Sequence, residues 1–326
     1  MATTDESSLF GRVQTGTSRL LSPKTERDRK RRRIVGLAFP FFALAVFGAF
    51  VPLLEMFRMS TSTSSFRIEG FTLEAYDTLF TSILSFIPVV GSGLSADPVY
   101  GSVIWNSLWF GMVTTIASVA LGIGIAHGLE KYDLPREGLL VTLISFPISL
   151  PGIVAAFMMI VWFGKTGMLT NFFTFLTGAS ANDLALTGRP SGSLPAIIGL
   201  FFGYLYSMIP RATFLLRGTY AEVNTAAEEA ARALGATPLQ TFRYVTLPQI
   251  RPGIVGALIL TFRTALAIFG TVLVLKALSV VTFRFNQEIS VGFNLPMASA
   301  LAALFFAFTV AFTFLSLRFT SAEVTA

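Results

Sequence analysis

TAAEEAARALGATPLQTFRYVTLP, residues 225–248, lies between two long apolar stretches and is rich in local structural signals. Thr225 to Leu234 is alanine-rich, with Glu228, Glu229 and Arg232 among the alanines, and alanine has the highest intrinsic helix propensity. Gly235 then falls where a helix C-terminus favours a left-handed residue, a conformation open to glycine because it has no Cβ. Thr237-Pro238-Leu239-Gln240 reads as a capping box, with threonine at the cap, proline at the first helical position and glutamine at the third. The pattern predicts a helix, a glycine corner and a second short helix from Pro238 to about Val245, ending before Pro248. Its mixture of small alanines and charges suits close docking of a partner. A solvated loop containing some helix is the plainer alternative.

The flanks decide the class. Crossing a bilayer takes about 20 apolar residues, and six segments qualify: Ile34–Phe57, Val103–Leu129, Leu139–Phe163, Leu194–Leu216, Ile254–Val274 and Pro296–Leu317. The third and fourth are punctuated by Pro147, Pro151, Pro195 and Pro210. Of the 326 residues 53% are hydrophobic and 13% charged, against roughly 25% charged in soluble domains. Mean hydropathy is +0.69. Lipid accepts apolar faces that water would not, so the expected fold is an all-α membrane protein with six transmembrane helices.

Charge sets the orientation. The run Lys24 through Arg33 directly precedes the first apolar segment and reads as a cytoplasmic flank. That segment is longer than a signal-peptide core and is expected to remain as a span. With the N-terminus inside, about 17 of the 24 basic residues fall on the cytoplasmic side, counting Arg211 in the inner part of the fourth span, and six outside. Both termini are therefore expected in the cytoplasm.

The expected organisation is a basic tail at 1–33, the first span at 34–57 and an extracytoplasmic segment at 58–102. A core of five spans follows at 103–318, with a cytoplasmic loop at 217–252 and a tail at 319–326. Within the extracytoplasmic segment, Phe71, Leu73, Tyr76, Leu79 and Phe80 stand near helical spacing and predict a short helix on the outer surface.

Glu229-Ala230-Ala231, three residues, Gly235, nine residues, then Val245-Thr246-Leu247-Pro248 resembles the signature loop of ABC importer permeases. The family has isoleucine where this chain has Val245. Phe71 to Tyr76, Asn106-Ser107-Leu108 and Phe146 to Gly152 resemble the same family, so the likeness runs from about 71 to 317. The resemblance implies the type I permease fold, with Glu229, Ala230, Ala231, Gly235, Val245, Leu247 and Pro248 in a loop that couples to ABC ATPase subunits. It also implies a second permease subunit, as a heterodimer, and an extracytoplasmic solute-binding protein. The spermidine/putrescine branch is the most similar, and permeases for thiamine, ferric iron, sulfate and molybdate share the framework. Oxyanion branches often carry Gly-Glu-Phe-Gly in the fifth span, whereas this chain reads Ala267-Ile268-Phe269-Gly270.

Other chemistry is thinly represented. With no cysteine and a single histidine, His127, disulfides, thiolate sites and histidine-rich metal clusters are excluded. Gly164-Lys165-Thr166 lacks the first glycine of a phosphate-binding loop, which would fall at Met159. No cofactor, metal or nucleic acid is expected, and membrane lipid is. An intramembrane enzyme lacks paired carboxylates or a nucleophile–histidine arrangement, and a passive channel leaves the signature loop unexplained. His127 reads as packed or interfacial. Arg263, inside the fifth span, either faces a polar interior, as part of a substrate path, or snorkels to the interface.

Overall fold

The computed structural model describes residues 26–87 and 97–324. Arg12, Arg19 and Lys24 of the basic tail, the middle of the expected extracytoplasmic segment and the last two residues lie outside that range. The chain forms two compact units, 1–58 and 59–326. The described part of the first, from Glu26 to Arg58, belongs to helix α1, Glu26–Ser60, in which Arg33–Ser60 is apolar enough to cross a membrane.

Every regular element among the described residues of the second unit is helical. It opens with α2 (Glu74–Phe86), α3 (Val99–Lys131) and α4 (Glu137–Ser145), and α4 runs into a 3-10 turn at Phe146–Ser149. Next come α5 (Gly152–Phe163), α6 (Met168–Thr177), α7 (Ala181–Leu184) and α8 (Leu194–Tyr220). The loop region holds α9 (Thr225–Ala233), α10 (Pro238–Thr241) and a π turn at Phe242–Thr246. The chain closes with α11 (Leu247–Ala267), α12 (Gly270–Leu275), α13 (Val281–Ser290) and α14 (Leu295–Val324). Six runs among the described residues are long and apolar enough to span, as the sequence predicts.

Two of the expected spans are displaced. The third, Leu139–Phe163, is not one helix: Leu150 turns extended and Pro151 caps a fresh start at α5. Proline lacks an N–H and disfavours helical geometry at the residue before it, so Pro151 breaks the run. The apolar run long enough to cross is Gly152–Thr177. The fifth begins earlier than Ile254, at Pro238, and stops at Ala267, where Ile268 becomes extended. Pro210, by contrast, sits buried inside an uninterrupted α8.

Small residues bring the helices together. Without a hydrophobic drive between helices in lipid, close backbone approach supplies the packing. α3 packs along α8, where a Cβ added to Gly122 would stand 3.1 Å from both the Ala212 Cβ and the Thr213 amide nitrogen. One cluster around Phe110, Leu200, Tyr204, Met208 and Val272 fills the middle, and another around Val119, Ala212, Leu216 and Ile250 lies toward the loop. The predicted outer helix forms as α2 but starts at Glu74, leaving Phe71 exposed. It does not merely lie on the surface. Ala75 and Leu79 are buried against Val103, Val281 and Leu301, because an apolar stripe gains more from packing than from an interface.

Gly122→Leu should therefore force α3 and α8 apart, at a cost of about 1–3 kcal/mol for overpacking. Gly124→Leu, with nothing within 4 Å of its added Cβ, should be nearly silent. Thermal unfolding of the two variants in detergent checks the contrast.

Candidate functional site

The loop region is built by three successive terminators. Asn224 Oδ1 accepts hydrogen bonds from the Ala226 and Ala227 amides and starts α9. Gly235, at φ +88°, ends it. The Gly235 amide donates to the Arg232 carbonyl and the Ala236 amide to that of Ala231, at 2.9 and 3.0 Å, so two of the last carbonyls are satisfied by a Schellman turn. The capping box then forms as predicted: the Gln240 amide donates to Thr237 Oγ1, and the Thr237 amide to Gln240 Oε1.

The second helix does not stop before Pro248. It widens into the π turn, where the Leu247 amide donates to the Phe242 carbonyl five residues back, and continues as α11. Pro248 has no N–H, and in a regular helix its ring would clash with the carbonyl four residues earlier. The wider turn admits it without ending the helix. Loop and membrane helix are thus one continuous rod.

A buried ion pair fastens this rod. Glu228 accepts from Lys131 Nζ at 2.7 Å and from the Thr246 hydroxyl, and the Glu228 and Lys131 side chains are only 5% and 9% exposed. Lys131 is the last residue of α3, so α9, α3 and the π turn meet at one carboxylate. Burial pushes the Glu228 carboxyl up. The hydrogen bonds from Lys131 and Thr246, with the charges of Lys131 and Arg232, outweigh that and hold it below the usual carboxylate range. His127 packs beside the pair, its ring centroid 4.9 Å from Phe242 and 5.7 Å from Tyr220. Arg217 near the end of α8 pairs with Glu130 on α3 and Glu137 on α4. Gln249 Oε1 accepts from the Asn224 amide and joins the start of α9 to α11.

The predicted residues divide between two faces. Glu229 and Ala230 point outward, Ala231, Val245 and Leu247 are half-buried, and Gly235 and Pro248 are exposed. Glu229 makes no hydrogen bond or ion pair with a described residue. Its neighbour Glu228, about 100° around the helix, makes the buried pair with Lys131. Glu228 stands beside Ala227 and Ala231 on the inward face, a lone acid among small residues, but its partner lies 97 residues away. Leu234, Leu239 and Tyr244, 70–90% exposed, form an apolar outer surface that the sequence reading did not single out.

Arg263 lines an open cleft between α8 and α11, with a volume of about 430 Å³. Arg211, Met208, Thr261, Thr264 and Ile148 border it too. Arg263 thus shares this cleft with a second arginine.

A family profile described as binding-protein-dependent transport system inner membrane component matches residues 118–322. The chain belongs to this family. It is the permease subunit of a type I ABC importer, a multi-pass membrane protein that translocates a small solute while a separate subunit hydrolyses ATP. It is 25% identical over 266 residues to a spermidine/putrescine transport system permease protein of Haemophilus influenzae, covering 80% of this chain and 85% of that one. It is 26% identical over 269 residues to a sulfate transport system permease protein of Salmonella typhimurium, covering 76% and 91%. The fold is shared with the crystal structure of a bacterial ABC transporter involved in import of the acidic polysaccharide alginate, at TM-score 0.73 and 15% identity, covering 91% and 98%.

Removing one member of a buried pair costs about 3–5 kcal/mol, because the other charge is stranded. In the permease, Glu228→Ala should free α9, and tryptic cleavage after exposed Arg232 should accelerate by at least about tenfold. A depressed carboxylate pKa stabilises above its ordinary value and ceases to do so as pH falls through the lowered one. Spin-label mobility at Thr225 should therefore stay constant through neutral pH and rise only in acid.

Proposed function

We propose that residues 217–252 are the coupling element through which ABC ATPase subunits drive this permease. The observation that carries this reading is the fastening of α9 and the π turn to α3 through Glu228, Lys131 and Thr246. A displacement imposed on the loop then moves three helices. A merely solvated loop would have no need of a buried ion pair or of an exposed apolar face at Leu234, Leu239 and Tyr244. In this reading Glu229 and Ala230 present the docking surface, Ala231 packs on the inward face beneath them, Gly235 sets the corner, and Val245, Leu247 and Pro248 carry the turn into α11. The loop and both termini are cytoplasmic. A second, different permease subunit completes the path, a solute-binding protein delivers on the other side, and access alternates as ATP binds and is hydrolysed.

For the solute, similarity to a spermidine/putrescine permease supports a polyamine, the branch that the sequence resemblance favours. Similarity to a sulfate permease at nearly equal identity supports an oxyanion. Arg211 and Arg263 in the cleft weigh against a polycation.

Gly235→Val tests the coupling reading. A side chain in the left-handed region costs about 1–2 kcal/mol, and valine's branch adds crowding. The variant should insert normally yet lose ATPase co-purification, solute uptake in vesicles, or both. Wild-type levels of both would refute the assignment.

A further inference from the structure

We propose that the cleft between α8 and α11 is a solute site selective for a carboxylate or another oxyanion, bound by Arg211, Arg263 and the Thr261 hydroxyl. The proposal rests on the transport reading and adds the substrate class. Both arginines lie within spans: Arg211 is nine residues from the Tyr220 end of α8, and Arg263 four residues before the Ala267 end of α11. Arginine inside a bilayer is costly and faces a polar cavity or a partner charge. Neither makes an ion pair with a described residue, and the hydrogen bond from Arg211 goes to Ser207 Oγ at 3.1 Å. By contrast, Lys131, Arg217 and Arg284 all pair with glutamates.

Thr261 supplies an independent sign. It is 2% exposed and borders the cleft, yet its hydroxyl has no partner among the described residues. Thr213 and Thr264, on the same two helices, return theirs to the carbonyl four residues back. A buried hydroxyl is expected to be hydrogen-bonded, and here the unmet donor lies just behind the wall of a cleft lined by two guanidinium groups. Guanidinium forks match the paired oxygens of carboxylate, sulfate and phosphate groups. A polyamine would instead meet two like charges. The rival occupant is a carboxylate side chain of the second permease, held as a fixed ion pair. The volume of about 430 Å³, within the range of small-molecule sites, and the unmet hydroxyl favour a solute that comes and goes.

The chain has no cysteine, so Thr264→Cys places a single reporter in the cleft of the assembled importer. Alkylation of that cysteine by a neutral maleimide is followed with sulfate, succinate or spermidine present. Saturating sulfate or succinate should slow labelling by about tenfold, and spermidine should not. Arg211→Leu with Arg263→Leu should abolish the protection, and lysine at both positions should restore part of it. Absence of protection by either anion, protection by spermidine, or protection that survives the double leucine change would overturn the proposal. Absent anion protection combined with separation of the permease subunits in the leucine variant would assign the arginines to the fixed pair. ATPase co-purification, measured on the same samples, should be unchanged by the cleft variants. Its loss would count against the coupling reading, separately from the anion result.

Discussion

The carboxylate of Glu228 is the point on which the proposed coupling machinery depends. Removing a charge from water is expensive, and it is tolerated here because Lys131 and Thr246 both donate to it. Those donors come from the end of α3 and from the π turn that leads into α11, so one buried pair fixes the angle between the loop and two membrane helices. Arg217, reaching from α8 to Glu130 and Glu137, adds a more exposed tie at the same end. Flexible loops lose displacement in their own bending. A loop clamped in this way passes displacement on.

Backbone hydrogen bonding shapes the rest of the path from loop to membrane. Each helix terminus around residues 224–248 is closed by a named partner: Asn224, the Gly235 turn, then the Thr237–Gln240 box. At Pro248 a regular helix would fail, and the π turn carries the chain through. The result is a continuous helical run from Pro238 to Ala267 whose far portion carries Thr261 and Arg263 into the cleft. Loop and cleft are thus two ends of one element.

Much of this was legible in the sequence, because it is governed by local rules. The six apolar runs, the Gly235 corner and the Thr237 cap follow from composition and from residues within four positions of each other. What escaped was set by distant contacts. The break at Ile268-Phe269 has no proline; it falls where Gly270 approaches Ile153 so closely that a Cβ would lie 2.9 Å from its amide nitrogen. The break at Pro151 did have a signal, but an apolar run has the same hydropathy whether or not its helix is interrupted. Glu228 and Glu229 are indistinguishable as letters. Only Lys131, at the end of another span, determines which of them is buried. Arg211 and Arg263 are 52 positions apart, and their shared cleft appears only once α8 and α11 are packed.

The central claim is that α9 moves as one body with the end of α3. Spin labels at Gly128 and Thr225, introduced as cysteines in the cysteine-free chain of the assembled importer, report on that directly. The expected result is a narrow distance distribution that is the same in the nucleotide-free and ATP-bound states and broadens in Glu228→Ala. A distribution that shifts or broadens on ATP binding with Glu228 and Lys131 intact would contradict the account.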